Sequence, residues 1–260
     1  MTSPLKKARS YAGMTMVELL IALAAGAIVM LGVYRLLATT LWNYNTQEQM
    51  TDMTQNATYT IKRLSEVLAA AGSYLPEKNY AVILYSLAKR DSIELRVNRN
   101  NSKFTIKNDT TCTDLRIDSA DAFKGADSLL IRDTNEAVTK VKISAVKYAT
   151  PPDTIVVASS TVFHRYDIIY GANTNRYFLS GTNFCCDATS NVLAENIEAL
   201  GMTFLDASNA ATTNWTNMVS CSLYVRARTL SRDPKYKSPT NGDGYHRLAL
   251  KMNLRLRNRF

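Results

Sequence analysis

Four cysteines, two histidines and one oddly placed carboxylate are the residues of this 260-residue chain whose types invite a chemical reading. Cys112, Cys185, Cys186 and Cys221 form no C-x-x-C pair, and His164 and His246 stand far from them in sequence, so a zinc set has little support. For a domain outside the cytoplasm disulfides are the default, and four cysteines allow three full pairings. A bond between the adjacent Cys185 and Cys186 closes a strained small ring. Each is therefore expected to pair elsewhere, with Cys112 and Cys221 as partners. Asp118, Asp121 and Asp127 lack the spacing of an EF-hand loop and read as a solvated loop. His164 and His246 read as polar strand positions. There is no G-x-S-x-G, H-E-x-x-H, Walker A or G-x-G-x-x-G. The expectation is a protein that is not an enzyme and holds no cofactor or metal.

The carboxylate is Glu18. It opens an apolar run that has no charged residue from Leu19 to Tyr34 and only Arg35 as far as Leu41. That run approaches the ~20 residues needed to cross a bilayer, and a charge within it is costly. The preceding MTSPLKKARSYAG is basic and free of acid, which holds that end in the cytoplasm and sends the remainder across. No small-residue cleavage site closes the run, as a secretory signal would require. The small residue, Gly13, stands before it.

Gly13-Met14-Thr15-Met16-Val17-Glu18-Leu19-Leu20 resembles the class III signal of type IV pilins and type II secretion pseudopilins. The resemblance implies cleavage by prepilin peptidase between Gly13 and Met14 and methylation of the new amine on Met14. Glu18 then falls at the fifth mature position, where the family keeps a glutamate; Met14 departs from its more usual Phe. A carboxylate four residues from a cationic amine can neutralise it, or that of a neighbouring subunit, and such a pair is strong in a low-dielectric bundle. Glu18 is thus expected to act in assembly. Ala22, Ala24, Ala25, Gly26, Ala27 and Gly32 let helices approach closely. Arg35 stands where many major pilins have a kinking proline, so an unkinked first helix is expected.

Helical spacing continues after Trp42 through Met53, Ala57, Ile61, Leu64, Leu68 and Ala71. Gly72 is placed to cap the helix and Pro76 to stop it; Asn43 to Asn45 is a candidate break. A helix over 14–71 would span on the order of 85 Å at about 1.5 Å per residue. Beyond it the period becomes two. Strands are expected at 81–87, 92–98, 128–134, 137–149, 153–159, 167–172, 176–181, 201–207, 219–230 and 245–258, with a hairpin between 172 and 176 and loops over 99–127 and 231–244. In the last strand Leu248, Leu250, Met252, Leu254 and Leu256 share one face, with Arg247, Lys251 and Arg255 on the other. The net charge of +9 therefore reads as the wet face of a sheet, and nucleic acid as an unlikely partner.

The expected fold is α+β: a long N-terminal transmembrane and amphipathic helix packed on a C-terminal antiparallel β-rich domain. Its parts are a leader (1–13), a membrane or filament-core helix (14–41), an amphipathic continuation (42–72) and an extracytoplasmic domain (73–260). LAENIEALGMTFLDA (193–207) resembles the segment of PilW-type minor pilins and J-type pseudopilins where a short acidic helix leads into a strand. Trp215, SLYVRARTL and the closing YHRLALKMNLRLRNR also fit that pattern, the basic ending more the PilW branch. The resemblance implies a minor pilin that helps to start a type IV pilus at its tip. Its partners would be other minor and major pilins, prepilin peptidase, the inner-membrane assembly platform and lipid. Its location would be the bacterial inner membrane, N-terminus in and C-terminus out, and then the pilus at the cell surface. The alternatives are a J-type pseudopilin of a type II secretion system and a tip pilin that captures DNA.

Overall fold

An unbroken run of good helix formers without Pro gives the first element, α1 (Met16–Ala70). The computed structural model describes residues 15–75, 82–84, 92–98, 100–148, 153–213 and 217–256. It divides into two compact units, Met1–Gln49 and Met50–Phe260. The backbone stays helical through Asn43–Asn45, where a break was a candidate. It ends as the sequence indicates: Gly72 takes φ +77°, which costs glycine little, and Ser73 N–H donates to Ala70 O.

The strands are β1 (Val82–Leu84), β2 (Ser92–Val97), β3 (Lys103–Thr105), β4 (Thr110–Ile117), β5 (Ser128–Arg132), β6 (Val138–Lys147) and β7 (Asp153–Phe163). They continue as β8 (Ile168–Ser180), β9 (Asn183–Cys186), β10 (Ala188–Ala194), β11 (Ile197–Leu205), β12 (Ser220–Arg228) and β13 (Arg247–Arg255). Among the described residues ten of them form one sheet, with path β1-β2-β8-β5-β6-β7-β4, and β11-β12-β13 form a second. Every pairing is antiparallel. The fold is α+β, a long apolar N-terminal helix followed by an antiparallel β domain.

Several local expectations are corrected. The 172–176 hairpin is absent because β8 runs straight through Ala-Asn-Thr-Asn-Arg. One edge of β8 is handed from β5 (Ser128↔Ala172) to β9 (Cys186↔Tyr177). In the gap, Asp127 Oδ2 accepts from Thr174 N at 2.8 Å and Asp187 Oδ1 from Arg176 N at 2.7 Å, so two carboxylates replace missing ladder partners. The segment 99–127 is not simply loop: it holds β3, β4 and a 3-10 turn at Asp121–Phe123. LAENIE is not a short acidic helix: β10 ends at Ala194, the chain bends at Glu195 and Asn196, and β11 begins at Ile197. Asn196 turns the chain at φ +60°, after which Ile197, Leu200, Met202 and Phe204 are buried. Met252, assigned to the apolar face of β13, is 38% exposed.

On the opposite edge of β8, β2 and β3 form one interrupted strand, and a buried polar plug fills the interruption. Asn98 Oδ1 accepts from Ser102 N (2.8 Å) and Ser102 Oγ (2.9 Å), while its Nδ2 donates to Ser102 O (2.9 Å) and Tyr74 O (3.3 Å). Ser102 Oγ in turn accepts from Gly171 N at 2.9 Å. Residue 171 must be glycine for this, since a Cβ there would lie 2.4 Å from that oxygen.

Two hydrophobic cores result. The first joins Met53, Ala57, Ile61, Leu64 and Leu68 of α1 to Ile93, Leu95, Tyr177, Phe184 and the inward residues of β11 and β12. The second lies among Ile117, Phe123, Leu129, Ile155, Phe163 and Ile169.

Candidate membrane and assembly helix

The start of α1 is a capping box. Thr15 is the N-cap: its Oγ1 accepts from Glu18 N at 3.3 Å, and Glu18 Oε2 accepts from Thr15 N at 2.9 Å and Thr15 Oγ1 at 3.0 Å. The carboxylate thus satisfies helix-terminal donors and sits at the positive end of the helix dipole. Sequence reasoning gave Glu18 a partner amine and overlooked Thr15. The signal was in plain view as T-x-x-E ahead of an apolar run. Gly13 and Met14 lie outside the described residues.

Every residue from 15 to 41 is exposed, Met16 at 80%, Ile28 at 74% and Leu36 at 72% among them. A helix that is apolar all round and uncovered is stable in lipid or among other helices, not in water. It is long and apolar enough to cross a membrane. Thr39 and Thr40 return their protons to the carbonyls of Arg35 and Leu36 at 2.9 Å each, so these two hydroxyls present no free donor. At Gly26 and at Gly32 a Cβ would meet nothing within 4 Å. Nothing in the chain itself demands a glycine at either position, and a helix interior pays about 1 kcal/mol for each. Close approach by another helix is what such residues permit.

The remaining candidates are scattered. All four cysteines are free thiols, where the sequence reading expects disulfides. Cys112 packs against the second core, whereas Cys186 and Cys221 lie in the first. Neighbours along a strand face opposite ways, and Cys185 Sγ lies near Asn183 O and Thr189 O while Cys186 Sγ reaches Asp187 Oδ2. Burial pushes the Cys186 thiol up to about 11 and Cys221 up to about 12, which makes both poor nucleophiles at neutral pH. Burial, with Cys186 beside it, also raises Tyr177 to about 12. His164 is on an exposed turn, 4.0 Å from Asp109. His246 stacks on Tyr236 and lies 3.2 Å from Asp233. Asp127 is spent on Thr174, and no group of His, Cys, Asp and Glu fit to hold a metal occurs among the described residues. Trp215 and the last residues, 257–260, lie outside them.

The chain matches the family model of the prokaryotic N-terminal methylation motif over residues 8–34. No curated protein and no solved structure matches it. The motif, with the apolar helix that it opens, fits a type IV pilin-like protein, in a pilin or pseudopilin role. It implies processing by prepilin peptidase and assembly with other pilins, and it points to a structural subunit rather than an enzyme. Helix and motif are consistent with membrane anchoring.

Proposed function

We propose that the chain is a minor pilin of the PilW type, cut between Gly13 and Met14, methylated on Met14 and held in the inner membrane with its β domain outside until assembly. The observation that carries this reading is the uncovered apolar helix behind the methylation motif. Glu18 then has two successive partners. Before assembly it closes the capping box with Thr15. In the filament it takes up the methylated amine of Met14 from its own or a neighbouring chain, an ion pair that low dielectric strengthens and that also fixes register. The basic, strand-forming C-terminus supports the pilus over the J-type pseudopilus as the filament joined.

Intact-mass and N-terminal peptide analysis of the native protein from membranes tests the proposal. A chain beginning at methylated Met14 is the expected product. A chain still beginning at Met1, or cut after the apolar run, would remove the assembly role of Glu18.

A further inference from the structure

The second sheet ends on an open edge. Among the described residues β13 pairs with β12 alone and closes the path β11-β12-β13. Its register on β12 has no shift from Arg228↔Arg247 to Ser220↔Arg255. At one end of this ladder Thr229 N donates to His246 O at 3.0 Å, and at the other Leu256 N donates to Val219 O at 3.0 Å. Both anchors carry even numbers, so the even residues of β13 turn their backbone groups to β12. In an antiparallel ladder the residues between them point theirs away. Among the described residues the N–H and C=O groups of Ala249, Lys251, Asn253 and Arg255 therefore form an unpaired row, a template for one further strand.

The apolar face stops at the same edge. Along β12 the inward Cys221, Leu223, Val225 and Ala227 are fully buried, whereas on β13 Leu248, Leu250 and Leu254 are only partly covered and Met252 is exposed. The inward side chains of one more strand would cover them. The outer face carries the charge. Arg247 is spent, since its guanidinium donates to Glu198 at 2.8 and 3.0 Å and to Asp243 at 2.7 Å, and these two acids also act on Arg226, Arg228 and Arg232. Lys251 and Arg255 lie further along, exposed and without an ion pair among the described residues. By register their outer-face neighbours are Tyr224, Ser222 and Ser220 on β12, then Gly201, Thr203 and Leu205 on β11, and none is acidic. Asp206, one residue past β11, accepts from Ser208 and Ala210.

We infer that the outer edge of β13 takes up an extended segment of another protein chain as a fourth, antiparallel strand, with acidic residues opposite Lys251 and Arg255 and apolar ones opposite Leu250, Met252 and Leu254. In such additions main-chain hydrogen bonds supply affinity and alternate side chains supply specificity. A second β13 does not fit. Antiparallel about its middle, it would set Lys251 opposite Lys251 and Arg247 opposite Arg255, and like charges directly opposite destabilise a sheet. Edge lysines protect natural sheets from self-pairing in this way. The charge that refuses a copy selects an acidic partner. From the residue opposite Arg255 to that opposite Leu250, the segment reads acidic, apolar, any, apolar, acidic, apolar. The partner need not be a filament subunit, since edge, rim and charge are properties of β13 alone.

The test uses the full chain in detergent and a fluorescent, end-blocked peptide, Glu-Val-Thr-Val-Glu-Val, read by anisotropy at fixed salt. In the register above the Glu and Thr N–H groups face β13 and those of Val face away. N-methylation of the Thr is expected to weaken binding about tenfold or more, through the lost ladder hydrogen bond and the bulk put in its place. N-methylation of the Val that follows should leave it unchanged. K251E/R255E, a change at two exposed side chains, should weaken binding about tenfold and gain the lysine counterpart, Lys-Val-Thr-Val-Lys-Val. Absence of binding by the wild-type chain at millimolar peptide, or equal losses from the two N-methyl groups, would overturn the inference. So would unchanged affinity in K251E/R255E. Equal binding of the rearranged peptide Glu-Glu-Val-Thr-Val-Val would overturn it in favour of charge alone.

Discussion

The two halves of α1 solve the same problem in opposite ways. Over 15–41 apolar residues occupy every side of the helix and none is covered. From Met53 onward they narrow to one stripe, and Ala57, Leu64 and Leu68 on it are almost wholly buried. The second half carries the surface that completes it within the same unit, because β2, β8, β9, β11 and β12 supply the other side of the core. The first half carries none, and at Gly26 and Gly32 a Cβ would meet nothing within 4 Å. Total apolarity therefore says less than periodicity: a stripe announces a partner inside the chain, a full cylinder one outside it.

The sharpest way to break that contrast is one substitution made twice. Leu64→Ala should cost about 2–5 kcal/mol, since it opens a cavity in the first core. Leu23→Ala, in the uncovered half, should stay within about 0.5 kcal/mol when unfolding of the detergent-solubilised protein is followed by denaturant. Equal losses would mean that both halves are packed alike. Thr15→Ala comes next. It removes the N-cap and should cost about 1 kcal/mol locally, read as faster amide exchange over the first turns of α1 with no change from Met53 to Leu68. Unaltered exchange at the start would show that the capping box does not hold the helix end.

The smallest effect is an acid one, confined to the β domain. The Arg247 hydrogen bonds hold the Glu198 carboxyl below its usual 4.5, with Arg226 adding to them, and Arg247 also draws Asp243 down to about 2 from 3.8. Both folded values lie below the unfolded ones. Their stabilisation is thus complete above about pH 4.5 and is lost as pH falls towards 2. Thermal midpoints should decline across that window, and Glu198→Gln should flatten the decline. An unchanged slope in that variant would remove Glu198 from the linkage.

Much of this architecture is readable from residue order, and the failures have physical causes. Gly72 ends α1 because only its own backbone freedom is involved, and alternation in SCSLYVRAR is a purely local pattern. The continuity of β8 was hidden because Asn and Thr signal a turn unless distant carboxylates accept their amides, and Asp127 and Asp187 do so. LAENIE has helix-forming composition, yet Asn196 turns the chain between two strands and the buried alternation after it imposes β11. At the N-terminus Glu18 stands out as the one carboxylate opening an apolar run, whereas Thr15 is legible only as the other half of a T-x-x-E capping box.

The central position of β8 also governs the order in which the domain can be made. Its residues pair with β2, β3 and β5, which precede it by dozens of positions, and with β9, which follows at once. Until residue 180 has been synthesised, the β2–β3 side of the large sheet has no neighbour on β8, and the closure of so long a loop is entropically slow. The β12–β13 ladder, by contrast, closes over a single intervening loop. A nascent chain therefore spends its early life with unpaired strand edges and an open helical stripe, the state in which chains aggregate. The molecule depends on arriving late at its own centre, and the tempo of its synthesis becomes part of its folding.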